Sequence, residues 1–131
     1  MYSNPNLEYA HSKIADVLDF PKPGIVFKDI TPVLQDEKAF NEVLDDLAKH
    51  LNGANKVAGI ESRGFIFAAA LAAKHKLGLV LFRKPGKLPR QTHVMQYQLE
   101  YGFDSLEVHK DAINSSDSVF IVDDVLAAGG D

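Results

Sequence analysis

Three short segments of this 131-residue chain have the residue types to handle a phosphorylated ligand. Residues 83–90 read RKPGKLPR and put Arg83, Lys84, Lys87 and Arg90 into eight positions. Pro85, Gly86 and Pro89 make this segment a loop. A cation cluster on a loop is either a solvated charge run or a seat for a small, highly charged phosphate ligand. Residues 61–64 read Glu-Ser-Arg-Gly. Arg63 offers several donors to phosphate oxygens, and Gly64 lets the backbone come close; taken alone, Arg63 reads equally well as a structural ion-pair partner. Residues 119–131, VFIVDDVLAAGGD, deliver Asp123 and Asp124 at the end of an apolar run and then the pair Gly129-Gly130. Paired glycines let backbone N–H groups converge on a phosphate. The carboxylates would accept hydrogen bonds from ribose hydroxyls or hold magnesium-bound water, or they simply cap a solvated turn. The segment is neither a Walker A loop nor a dinucleotide fingerprint, since neither glycine pattern is present.

The elements around these loops decide whether they can meet. Leu7, Ala10, Ile14, Val17 and Leu18 recur at helical spacing and predict an amphipathic helix over 6–18. Pro21 and Pro23 break regular structure. Residues 25–34 read as a short strand or ordered loop, and Asp36 as the N-cap of a second helix bearing Phe40, Val43, Leu44, Leu47 and Leu51 on one face. Residues 56–60, 79–83 and 118–122 are short apolar strands, and 64–76 a helix buried on most sides. Met95–Glu100 and Ser105–His109 alternate in strand fashion. Continuous apolar strands separated by helices predict an α/β fold with a parallel sheet covered on both faces, whose ligands gather at the carboxyl ends of the strands. The three loops singled out follow three such strands.

Composition limits the alternatives. The chain is 46% hydrophobic and 24% charged, the make-up of a soluble globular domain. No apolar run is long enough for a membrane span, and the N-terminus lacks the pattern of a secretory signal, so no membrane partner is expected. Cys is absent, which excludes a thiolate zinc site and a cysteine nucleophile and fits a cytoplasmic location. The net charge of −4 argues against a nucleic-acid partner. The histidines at 11, 50, 75, 93 and 109 form no ligand pair and read as surface or structural groups.

The strand with two acidic residues and a small-residue loop resembles the PRPP-binding motif of the type I phosphoribosyltransferases. FPKPGIVFKDITPVL (20–34), GIESRGFIF (59–67), FRKPGKLP (82–89) and LEYG (99–102) resemble the adenine-using members of that family, in the family's order and over nearly the whole chain. The resemblance implies a parallel-sheet type I phosphoribosyltransferase fold with an N-terminal base-binding hood: a single domain over 1–131, with the hood at about 1–35, the core at about 36–131 and a mobile lid at about 91–105. It implies transfer of ribose 5-phosphate from PRPP to adenine, giving AMP and pyrophosphate in purine salvage, with Mg2+ as cofactor and a homodimer as the assembly. Val26, Phe27 and Lys28 would form the base pocket, with Phe27 stacking on the purine. Glu61, Ser62, Arg63 and Gly64 would form the pyrophosphate loop. Arg83 and Lys87 would offset pyrophosphate charge, from this subunit or its neighbour, while Lys84 and Arg90 face solvent. Glu100 matches the catalytic acid/base, with Tyr101 helping to cover the site. Asp123 and Asp124 would hold the ribose, and magnesium through water with no direct metal ligand; Ala127, Ala128, Gly129 and Gly130 would hold the 5-phosphate.

Two departures from the family pattern stand out. Ala128 and Asp131 occupy positions where hydroxyl residues are usual, which removes one donor and brings a negative charge near a phosphate. The chain also stops at Asp131, within the phosphate loop, whereas family members continue with a helix and a strand. It is expected to be part of a longer enzyme, with its C-terminal part missing; the alternative is a short protein that is unstable or inactive. The rival readings are the same chemistry on xanthine or hypoxanthine, and a non-catalytic PRPP or nucleotide sensor.

Overall fold

A computed structural model of the chain describes residues 7–99 and 102–123. Two compact units emerge, divided between His50 and Leu51.

The first unit runs α1 (Glu8–Ser12), β1 (Ala15–Leu18), β2 (Val26–Asp29), α2 (Thr31–Gln35) and α3 (Glu37–Ala48). The helix predicted over 6–18 is therefore cut short. It closes where the Lys13 and Ile14 N–H groups donate to the Ala10 and His11 carbonyls. Residues 15–18 instead pair antiparallel with 26–29, from Ala15 opposite Asp29 to Leu18 opposite Val26. The physical reason lies between them. Lys22-Pro23-Gly24-Ile25 forms a type II turn, with the Ile25 N–H donating to the Lys22 carbonyl at 3.2 Å and Gly24 at φ +88°. That turn returns a second extended segment alongside the first. The pairing then outweighs the modest helix preference of Asp16 and Val17. Asp36 is the N-cap of α3: its Oδ1 accepts the Ala39 N–H at 2.9 Å and its Oδ2 the Tyr9 hydroxyl at 2.7 Å. Ala10, Val33 and Ala39 form the buried core of this unit, with Tyr9, Ile14 and Val43 packed against it.

The second unit holds β3 (Lys56–Ile60), α4 (Gly64–His75), β4 (Gly78–Phe82), β5 (Thr92–Leu99), β6 (Gly102–His109) and β7 (Val119–Val122). β3 lies between β4 and β7, and both pairings are parallel, as the apolar runs predicted. α4 covers one sheet face so closely that a Cβ on Gly59 would stand 2.8 Å from that of Ala68. The other face carries Ala58, Val80 and Phe82, which pack with Leu106 and Val108. Those two residues come from β6, so the second cover is a strand ribbon rather than a helix. β5 and β6 pair antiparallel along their whole length.

A polar clamp holds the opposite end of the sheet. The Lys56 ammonium donates to Asp117 Oδ2 at 2.7 Å and to the Ala112 carbonyl at 2.8 Å. Asn55 and Asp117 complete it, and the Ser118 N–H donates to Asn55 Oδ1 at 2.7 Å. Lys56, then Asn55 and the Asn114 N–H, hold the Asp117 carboxyl down to about 2 from an ordinary 3.8. A carboxyl lowered by folding stabilises the fold fully above its unfolded value and loses that contribution as pH falls toward the folded one. Urea-unfolding midpoints measured between about pH 4 and pH 2 should therefore drop more steeply for the wild-type chain than for Asp117→Asn. Parallel profiles would contradict the clamp.

Candidate active site

Because β3, β4 and β7 are parallel, the loops after residues 60, 83 and 122 leave the sheet on one edge. The loop after β3 is also where neighbours lie on both sides, the position at which α/β sheets gather ligands. Glu61 binds this loop to the next. Its N–H donates to the Phe82 carbonyl at 2.9 Å. Its Oε1 accepts the Lys84 N–H at 2.8 Å and Arg83 Nε at 3.3 Å. The Lys84 N–H first, and then Arg83, hold the Glu61 carboxyl below the usual carboxylate range. The peptide between Glu61 and Ser62 is cis.

The basic loop is equally ordered. Lys84-Pro85-Gly86-Lys87 repeats the type II turn of the first unit, with the Lys87 N–H donating to the Lys84 carbonyl at 3.3 Å and Gly86 at φ +84°. Arg83 exchanges both main-chain hydrogen bonds with Glu107 of β6, at 2.9 and 2.7 Å. Its guanidinium carbon lies 5.9 Å from the centre of the Phe65 ring. Glu61 is bound through Arg83 Nε, on one side of the guanidinium, so the forked end is not spent on that contact. Lys84 and Lys87 are exposed. Arg90 is also exposed and pairs with Asp111, as a solvent-facing charge should.

Gly64 begins α4 beside the end of β7. A Cβ there would stand 2.8 Å from the Val122 carbonyl oxygen and 3.3 Å from Asp123 Cα. Sequence reasoning assigned this glycine to backbone approach toward a phosphate. In the fold, the close neighbour is the strand end that delivers Asp123.

In the first unit, the β1–β2 pairing sorts Val26, Phe27 and Lys28. Successive strand residues point to opposite faces, so Phe27 shares a face with Val17, while Val26 and Lys28 share the other with Leu18 and Asp16. The three residues of the expected base pocket therefore do not aim their side chains at one point. The Phe27 ring meets Phe20 edge-on, with centroids 5.2 Å apart and planes at 74°. The Lys28 ammonium pairs with Asp16 at 2.7 Å. Glu100, Tyr101, Asp124, Ala127, Ala128, Gly129 and Gly130 lie outside the described residues. Among described residues no group of three His, Asp or Glu could hold a metal ion.

Phe20, Asp19 and Glu107 were not singled out from sequence. A local signal existed for Asp19, because Lys-Pro-Gly announces a type II turn whose glycine N–H needs an acceptor; Asp19 Oδ1 takes it at 2.8 Å. Glu107 performs the same service for Gly86 at 3.3 Å, but from 21 residues away.

Comparison with known proteins agrees with this fold. Residues 33–130 match the family described as phosphoribosyl transferase domain. A relative named adenine phosphoribosyltransferase, from Francisella tularensis subsp. novicida, is 54% identical over 95% of this chain and 74% of its own length. The crystal structure of adenine phosphoribosyltransferase from Thermoanaerobacter pseudethanolicus superposes with a TM-score of 0.80 at 53% identity, over 90% of this chain and 70% of that one. The Saccharomyces cerevisiae enzyme, complexed with an imino-altritol bisphosphate and adenine, gives 0.79 at 32% identity, over 88% and 69% of the two chains.

The Gly64 contact makes a stability prediction. Gly64→Ala forces a methyl group against main chain rather than a flexible side chain, so it should destabilise the fold by about 1–3 kcal/mol. Denaturant unfolding reads this directly, and an unchanged midpoint would mean that the approach is looser than described.

Proposed function

We propose, from the premise that this chain belongs to the adenine phosphoribosyltransferase family, that it transfers ribose 5-phosphate from PRPP to adenine, releasing AMP and pyrophosphate. The observation that carries the reading is the pair of ordered loops at the edge where β3 and β4 end. Glu-Ser-Arg-Gly and Arg-Lys-Pro-Gly-Lys are joined there through Glu61, on a chain about half identical to enzymes of that name.

As the bond from the anomeric carbon to pyrophosphate breaks, positive charge develops on the sugar and negative charge on the leaving group. Arg63, Arg83 and Lys87 would stabilise the leaving group, with the start of α4 contributing N–H groups and a favourable dipole. Asp123 follows directly on β7, where a carboxylate can accept ribose hydroxyls, and its oxygens suit a hard cation. Mg2+ carried by PRPP would neutralise pyrophosphate charge, held through water by Asp123 and Asp124. Phe27 would offer its ring to the purine. Val26 and Lys28 point their side chains to the opposite strand face, so they would contribute through their main chain. Ser62 is an exposed hydroxyl for a phosphate oxygen, and Ala127 to Gly130 would supply N–H groups to the 5-phosphate. Glu100 would handle the purine proton as N9 attacks, with Tyr101 covering it. The chain would work in the cytoplasm as a homodimer, for which exposed Leu79 and Leu81 on β4 provide an apolar surface.

The test is product formation from PRPP and Mg2+ with adenine, hypoxanthine, xanthine or guanine. AMP alone is expected; another nucleotide would reassign the base, and PRPP binding without any product would make the protein a sensor. Within the active protein, Glu100→Gln should lower kcat by about 100- to 10,000-fold with far less effect on PRPP affinity. Near-wild-type turnover would remove Glu100 from the mechanism.

A further inference from the structure

Glu107 lies outside every motif discussed above, yet it makes three contacts with the basic loop. Its main chain exchanges two hydrogen bonds with Arg83, and its Oε1 accepts the Gly86 N–H at 3.3 Å. In a type II turn the glycine at the third position donates nothing to the turn itself, so an outside acceptor fixes the plane of the Pro85–Gly86 peptide. The first unit has the same arrangement, with Asp19 accepting from Gly24. Gly86 has no atom within 4 Å of an ideal Cβ, so contacts on that side do not hold the turn. Its hydrogen bonds and the Glu61 contact do that instead.

We infer that Glu107 is a positioning residue for the pyrophosphate half of the site. It holds the Lys-Pro-Gly-Lys turn so that Arg83 and Lys87 keep a fixed separation. Glu61 grips the front of the same turn at Lys84, and Glu107 grips its glycine. Two carboxylates on different elements thus fix the main chain that carries Arg83, Lys84 and Lys87. Neither needs to touch the ligand, and both would repel it if they did. Glu107 belongs to β6, which leads out of the 91–105 segment, so the basic loop and that ribbon share one hydrogen-bonded seam.

This rests on the pyrophosphate assignment above, and the test separates the two. Glu107→Ala removes the acceptor; Glu107→Gln keeps an amide oxygen there and loses only the charge. Glu107→Ala should raise KM for PRPP and weaken pyrophosphate binding by about five- to tenfold, the value of one such hydrogen bond. KM for adenine should stay put, and Glu107→Gln should recover most of the loss. An unchanged KM for PRPP, an equal rise for adenine, or a Gln variant as poor as Ala would each overturn the positioning role. If the wild-type protein forms no AMP, the enzymatic reading fails by itself. Calorimetric titration of pyrophosphate into the same three proteins then decides the role of Glu107, and equal affinities, including none, overturn it.

Discussion

The contact between Glu61 and the start of the basic loop is the constraint on which the candidate site depends. Both bonds to its Oε1 cross from the loop after β3 to the loop after β4, one to a main-chain N–H and one to a guanidinium. An exposed ion pair alone would contribute little. A bond to a backbone N–H is different, because it fixes the direction of a peptide and not merely the separation of two flexible side chains. If these loops seat pyrophosphate, as proposed, a carboxylate beside them looks counterproductive, since it opposes the ligand's charge. It offsets the mutual repulsion of Arg83, Lys84 and Lys87 when no anion is bound, and it sets where they stand when one arrives.

The sheet makes this contact possible. β3 and β4 pair in parallel from Lys56 opposite Gly78 to Ile60 opposite Phe82. That register brings Glu61 and Arg83 to the edge together. Gly64 then lets the start of α4 close on Val122, which brings the same loop against the strand bearing Asp123. Under the proposed function, phosphate chemistry on this fold would come from strand ends in register, with the cations on loops whose main chains are already committed.

Local signals were legible in the sequence and long-range ones were not. The Asp36 cap, the three apolar strands and helix 64–75 follow from residues within one or two turns of each other, and the fold agrees with them. The phosphoribosyltransferase motifs were readable for the same reason: each is a short contiguous run. Residues 14–18 were misread because Ile14, Val17 and Leu18 happen to fit a helical repeat, while their strand partner lies beyond the Pro21–Gly24 turn. Phe27 was identified, but not its edge-on contact with Phe20 across that turn. Gly64 was identified as a close approach, but its neighbour is 58 positions away at Val122. Glu107 had no local mark, since what distinguishes it is the loop after β4 that it meets along the other edge of β6.

The most direct test of the account is a double-mutant cycle on Glu61 and Arg83, read as PRPP affinity. If Glu61 acts by holding Arg83 and the turn behind it, Glu61→Gln and Arg83→Ala each weaken binding. The double variant then loses less than the two single losses combined, because part of what Glu61 positions is already gone. Losses that add in full would contradict the account, and would mean that the two residues act on the ligand independently.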